Sequence, residues 1–210
     1  MKLTEIRLRA LALIFFLTWS ITGCVEGDKD IIDGDWVEIN GVKWSTCNVG
    51  APGTFVANPE DYGEYYQWNK GTTDFLLSND YWNSVYSKSD SWLPANDPSP
   101  TGYRVPTSAE IQSLLNITYV TNEWTTLNGV AGSKFTDKAT GNSIFMPAAG
   151  FRESYEGTLY DVGKNGRYWS STLSDIDIYA SYYLFLDIHG VVWNYSLSFS
   201  YGFKVRPVAK

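Results

Sequence analysis

Cysteine is nearly absent from this 210-residue chain: only Cys24 and Cys47 occur. There is a single histidine, His189, and basic side chains are outnumbered 16 to 23, for a net charge of -7. Each scarcity excludes something. Two cysteines cannot build the disulfide framework of a small secreted scaffold, so packing has to carry the stability. One histidine confines any Cys–His pair to His189, and Cys47 is the candidate partner for nucleophilic chemistry. The acidic balance argues against nonspecific nucleic-acid binding and provides no polybasic membrane patch. The one sustained apolar run, Leu11 to Leu17, is too short to span a bilayer as a helix.

That run follows Lys2, Arg7 and Arg9 and precedes Ile21-Thr22-Gly23-Cys24. A positive segment, a short apolar segment and small residues ending in cysteine have the layout of a processing signal. The stretch resembles a bacterial lipobox, which implies a signal peptide over 1–23, lipidation at Cys24 and a membrane anchor. Residues 24–35 (CVEGDKDIIDGD) are then an acidic tether. Its aspartates do not have EF-hand spacing. Residues 36–210 are read as one domain.

What the chain has in abundance is rings: 9 Trp, 15 Tyr and 10 Phe. Large rings under short strands build a core, and rings with polar ends also suit a sugar-binding surface. Asn40-Gly41 between Trp36–Ile39 and Val42–Trp44 is a hairpin signal. Thr107 and Glu110 form a capping box that opens a helix predicted from about Ser108 to Asn116, with Ile111, Leu114 and Leu115 on its apolar face. Ala148-Ala149-Gly150 predicts a close backbone approach. Further strands are expected at Lys134–Thr136, Ser143–Pro147, Arg167–Ser171, Ala180–Leu186, Val191–Tyr195 and Phe203–Arg206, with Pro207 ending the last. Ala180–Leu186 alternates apolar residues on both faces and reads as central. One helix among many short strands makes the class α+β.

Residues 69–101 show little periodicity, yet they carry Tyr81, Trp82, Tyr86 and Trp92. A long irregular segment in a small domain is either pinned to the core by its rings or forms a ligand surface. Trp82, Tyr86 and Trp92 are therefore the candidate ligand-binding residues. Arg104, Arg152, Arg167 and Arg206 have two readings: a fork that satisfies loop carbonyls or a carboxylate, or a clamp for an anionic ligand. Asp175 and Asp177, two apart in a turn-like stretch, are candidate paired carboxylates, although two aspartates in such a turn are more often simply solvated.

Seven pieces occur in order along the chain: Val42–Gly50, Tyr65–Trp68, Trp92–Pro98, Gly102–Thr107 with Glu110, Phe145–Arg152, Gly166–Ser171 and Gly202–Val208. Together they resemble the Fibrobacter succinogenes major paralogous domain over about residues 36–208. The resemblance implies a C-type-lectin-like fold of short antiparallel strands, one or two helices and long loops. It also implies an outer-membrane lipoprotein facing the cell exterior. The related formylglycine-generating enzymes use a cysteine pair in their C-terminal half, and this chain has no cysteine after Cys47. Asn58-Pro59-Glu60 reverses the calcium-lectin order, and Trp82-Asn83-Ser84 lacks the aspartate of the other calcium-lectin motif, so no sugar or calcium ligand carries over. No cofactor is expected, although a structural calcium ion is compatible with such a fold. The expected function is non-catalytic recognition of a glycan or surface protein. The alternatives are a structural or protein-binding subunit of a surface assembly and, third, a hydrolase.

Overall fold

The computed structural model describes residues 36–75 and 91–210. Strand β1 (Trp36–Ile39) turns at Asn40 and Gly41 into β2 (Val42–Ser45). Both turn residues have positive φ, 48° and 79°, as a type I′ turn requires. The same device closes the next long hairpin. β5 (Val120–Leu127) returns as β6 (Val130–Asp137) through Asn128 (φ 49°) and Gly129 (φ 85°). β7 (Ser143–Pro147) adds to β6, giving a three-stranded sheet.

One α-helix occurs among the described residues, α1 (Ser108–Ser113). Its capping box is formed: Thr107 Oγ1 accepts from the Glu110 amide at 3.2 Å, and the Thr107 amide donates to Glu110 Oε2 at 2.8 Å. The helix is shorter than its apolar face predicts. Leu114 and Leu115 donate to carbonyls three residues back, so the last turn tightens while Ile111 and Leu114 stay buried. The short strand β3 (Tyr66–Gln67) and β4 (Tyr103–Arg104) lie on either side of a 3₁₀ turn at Pro94–Asn96.

The centre is an antiparallel sheet of β10 (Asn165–Leu173), β11 (Ala180–Asp187) and β12 (Gly190–Ser198), with β11 in the middle as its two-faced pattern predicts. Alternation sends Tyr168, Leu184 and Leu186 to one core with Ile39, Trp44, Ile111, Leu114, Phe135 and Met146. It sends Trp169 and Tyr183 to a second core with Tyr66, Trp68, Trp92, Val105, Phe203 and Val205. Burying each such ring is worth roughly 1.5–3 kcal/mol, so the central sheet is held from both sides. α1 lies against all three of its strands.

A third sheet runs β3–β13–β8–β9, where β8 is Phe151–Arg152, β9 is Leu159–Tyr160 and β13 is Gly202–Phe203. The close approach expected at Ala148–Gly150 is present. Gly150 has φ 66°, and a Cβ there would lie 2.1 Å from the Tyr160 carbonyl oxygen. Pro207 departs from expectation. It does not end the last strand; the chain continues into β14 (Val208–Ala209), inserted between β2 and β4. Proline is tolerated because it precedes the strand, and its carbonyl still accepts from the Ser45 amide at 2.9 Å. The fold is α+β, built from short antiparallel sheets around one helix.

Candidate functional site

β10 places Tyr168 in the first core, so its neighbours Arg167 and Trp169 point to the other face. Trp169 fills the second core. Arg167 lies two residues earlier, where that core opens, and pairs across the ladder with Phe185. Its guanidinium carbon sits 3.5 Å from the ring centroid of Phe151. The rings of Phe203, Phe185 and Tyr183 lie at 5.6, 5.9 and 6.0 Å. Four rings from β8, β10's partner strand and β13 thus surround one cation, a cation–π arrangement.

The rings continue outward. Tyr160 stacks on Phe151 with centroids 5.9 Å apart, and Tyr195 lies 5.8 Å from Phe185. Tyr160 and Tyr195 are 48% and 49% exposed, so the row Tyr160–Phe151–Arg167–Phe185–Tyr195 runs from solvent, over the arginine, and back to solvent. Tyr201, half-buried, flanks Phe151 at 6.2 Å. The guanidinium makes no hydrogen bond or ion pair with a described residue, and its Nε is buried without an acceptor. Burial pushes the Arg167 pKa down, partly offset by Tyr183, Asp161 and Tyr201.

The other three arginines serve the framework. Arg104 forms a two-pronged pair with Glu110, at 2.8 and 2.5 Å. Arg152 donates to the Gly157 carbonyl at 2.9 Å. Arg206 is 1% exposed and donates to the carbonyls of Phe145 (2.9 Å) and Ser45 (3.4 Å). Beside Arg152, the buried Lys204 ammonium donates to Gly63 O at 2.6 Å and lies 3.0 Å from the Tyr65 ring centroid. Burial holds that lysine well below its ordinary pKa. Tyr65, pushed up to about 12 by burial, donates from its hydroxyl to Ala149 O.

Among the described residues, those singled out in the sequence do not converge. Trp92 is 6% exposed; its ring meets Trp68 at 5.6 Å and its Nε1 donates to Asn96 O at 2.8 Å. It is one of the rings that pin the irregular segment to the core, and it presents no open face. Trp82, Tyr86 and Cys24 lie outside the described residues. Cys47 is buried and disulfide-bonded, whereas the sequence reading left it unbridged. It is therefore no nucleophile, and His189 stands exposed in the β11–β12 turn. Asp175 accepts from the Tyr182 hydroxyl and Asp177 from the Tyr179 amide, so both are occupied as exposed turn residues. No group of three or more histidine, cysteine or acidic side chains placed to hold a metal occurs among the described residues.

The sequence alone does not distinguish Arg167 from Arg104, Arg152 and Arg206. A signal was present: in Arg167-Tyr168-Trp169 the charge shares the parity of a core tryptophan. No family model, curated protein or solved structure matches the chain. The ring-lined arginine is thus the feature on which a functional reading can stand.

Proposed function

We propose that this chain is a non-catalytic recognition module that binds a saccharide on the Arg167 face. The observation that carries the reading is the row of rings around a guanidinium without an acceptor, open to solvent at Tyr160 and Tyr195. Sugar rings offer C–H faces to aromatics and hydroxyls to polar groups, and half-exposed tyrosines supply both. We further read the fold as C-type-lectin-like and the chain as a member of the Fibrobacter succinogenes major paralogous domain family. The closing of the last strand beside the first hairpin supports that reading. The amino-terminal segment supports a lipoprotein held at the outer membrane and facing outward. No described helix is long and apolar enough to cross a membrane.

The test is a polysaccharide-binding screen of the full-length protein in detergent, with calcium and again with chelator. Binding is expected to survive chelator, because rings and guanidinium act without a metal. Tyr160→Ala and Tyr195→Ala should each weaken it roughly threefold to tenfold, the size of one ring contact. Binding that is indifferent to both substitutions would refute the assignment of this face. A second reading, a protein-binding subunit of a surface assembly, draws on Ile176, Ile178 and Ile188, which stand exposed in two turns. It predicts a stable partner complex lost on Ile176→Ser with Ile178→Ser.

A further inference from the structure

We propose that Arg167 receives the carboxylate of an acidic saccharide, a uronic acid or a sugar acid of similar shape, while the flanking tyrosines hold its ring. This inference rests on the saccharide reading above and specifies its substrate class. A guanidinium has five N–H donors in a fixed plane. The guanidinium carbon lies over the Phe151 ring at 3.5 Å, a cation–π contact that supplies no oxygen acceptor to the N–H groups. An orphaned Nε is not peculiar to Arg167, since the Nε of Arg206 is also buried without an acceptor. The terminal nitrogens make the difference: those of Arg104, Arg152 and Arg206 reach a carboxylate or carbonyl, whereas those of Arg167 reach neither among the described residues, and donors in such a place are nearly always satisfied.

Charge points the same way. The one ion pair among the described residues is Arg104 with Glu110. Asp161 acts on Arg167 through space, but its Oδ2 accepts from Asn165 Nδ2 at 3.0 Å, and no ion pair joins it to Arg167. A planar bidentate anion matches the guanidinium edge better than a neutral hydroxyl does. Tyr160 and Tyr195 bracket the arginine with half-exposed rings, so an anion attached to a flat, polyhydroxylated ring uses every part of the row.

The experiment compares polygalacturonate, its fully methyl-esterified form and polyglutamate for binding to the full-length protein in detergent. The acid polymer is expected to bind roughly tenfold to a hundredfold more tightly than the ester, the range of a charge-assisted contact. That preference should shrink with added salt and disappear in Arg167→Met, with Arg167→Lys restoring little of it because a point charge lacks the fork. Tyr160→Ala and Tyr195→Ala should weaken acid and ester alike. Both are surface changes, so they remain informative if Arg167→Met fails to fold. Equal binding of acid and ester, still sensitive to the two tyrosines, overturns the carboxylate assignment and leaves the saccharide reading standing. Polyglutamate binding as tightly as polygalacturonate overturns the saccharide class. Failure of both sugar polymers to bind overturns the inference and the reading beneath it.

Discussion

Replacing Glu110 by glutamine changes one atom and removes one charge. The Glu110 carboxylate accepts four hydrogen bonds: from the Thr107 amide (2.8 Å), the Thr107 hydroxyl (2.9 Å) and two Arg104 nitrogens (2.8 and 2.5 Å). Glutamine keeps one acceptor oxygen and turns the other arm into a donor facing a donor. The retained oxygen can still accept from the Thr107 amide, so the reciprocal cap survives. Loss of the two-pronged pair, which is partly exposed, costs about 1 kcal/mol. That lowers the melting temperature by about 2–4 °C for a domain of this size. Thermal unfolding followed by circular dichroism at neutral pH reads it directly. Acid supplies the sharper test. Burial raises the Glu110 pKa, but hydrogen bonds from Arg104 and Thr107 outweigh it, and the net shift is downward from 4.5. A depressed carboxyl contributes stability that is present above its ordinary pKa and lost as pH falls through the folded value. Wild type and Glu110→Gln should therefore converge as pH falls through the folded pKa of Glu110, which lies below the ordinary 4.5. A gap that persists unchanged in acid, or no gap at neutrality, would show that the junction is not held by this charge. In Arg104→Met the Glu110→Gln effect should fall by about 1 kcal/mol, the coupling expected of the pair.

Three other outcomes are expected. Gly150→Ala should cost roughly 2 kcal/mol or more, because positive φ and a carbonyl at 2.1 Å act together; Gly129→Ala, with positive φ in open space, should cost about 1 kcal/mol, and equal urea midpoints would contradict the crowding argument. Alkali should unfold the domain: burial raises the pKa of Tyr65 to about 12 and also raises those of Tyr66, Tyr168 and Tyr183, so their stabilisation is complete below pH 10 and is lost as pH rises toward 12. Arg206, pushed down to about 10 by burial, opposes this with a cost that fades above pH 10, and tyrosinate absorbance rising together with loss of structure would confirm that the tyrosines prevail. Finally, Cys47 is disulfide-bonded and Cys24 is the one other cysteine of this chain, whereas a lipid thioether would need the Cys24 sulfur. Protein unfolded without reductant should therefore resist alkylation at Cys47 and weigh two hydrogens less than the dithiol; an alkylated Cys47 beside an acylated Cys24 in the mass spectrum would overturn the disulfide in favour of the lipid.

Local chemistry was the legible part of this chain. Asn40-Gly41 and the Thr107–Glu110 box act within a few residues, and both formed as their patterns require. Asn128-Gly129 carries the same turn signal as Asn40-Gly41, but the largely polar run Thr121–Thr126 hides the strand before it, so the β5–β6 hairpin is not legible in the sequence. Pro207 lacks an N–H and so reads as the end of a strand, whereas the ladder resumes one residue later. The site was less legible still. The rings around Arg167 come from positions 151, 183, 185 and 203, which no window brings together. Trp92 illustrates the converse: a large ring in a polar segment looks like a binding platform until the core that receives it is known.

The placement of β14 sets an order of events. Trp44 and Arg104 both align with Val208, which comes from the far end of the sequence. During synthesis the strands on either side exist long before the one that joins them, and their facing edges remain unpaired in the interval. The first sheet therefore stays a hairpin and a detached two-residue strand until Val208 emerges, and a chain halted shortly before that residue would leave two open edges available to chaperones or to neighbouring chains.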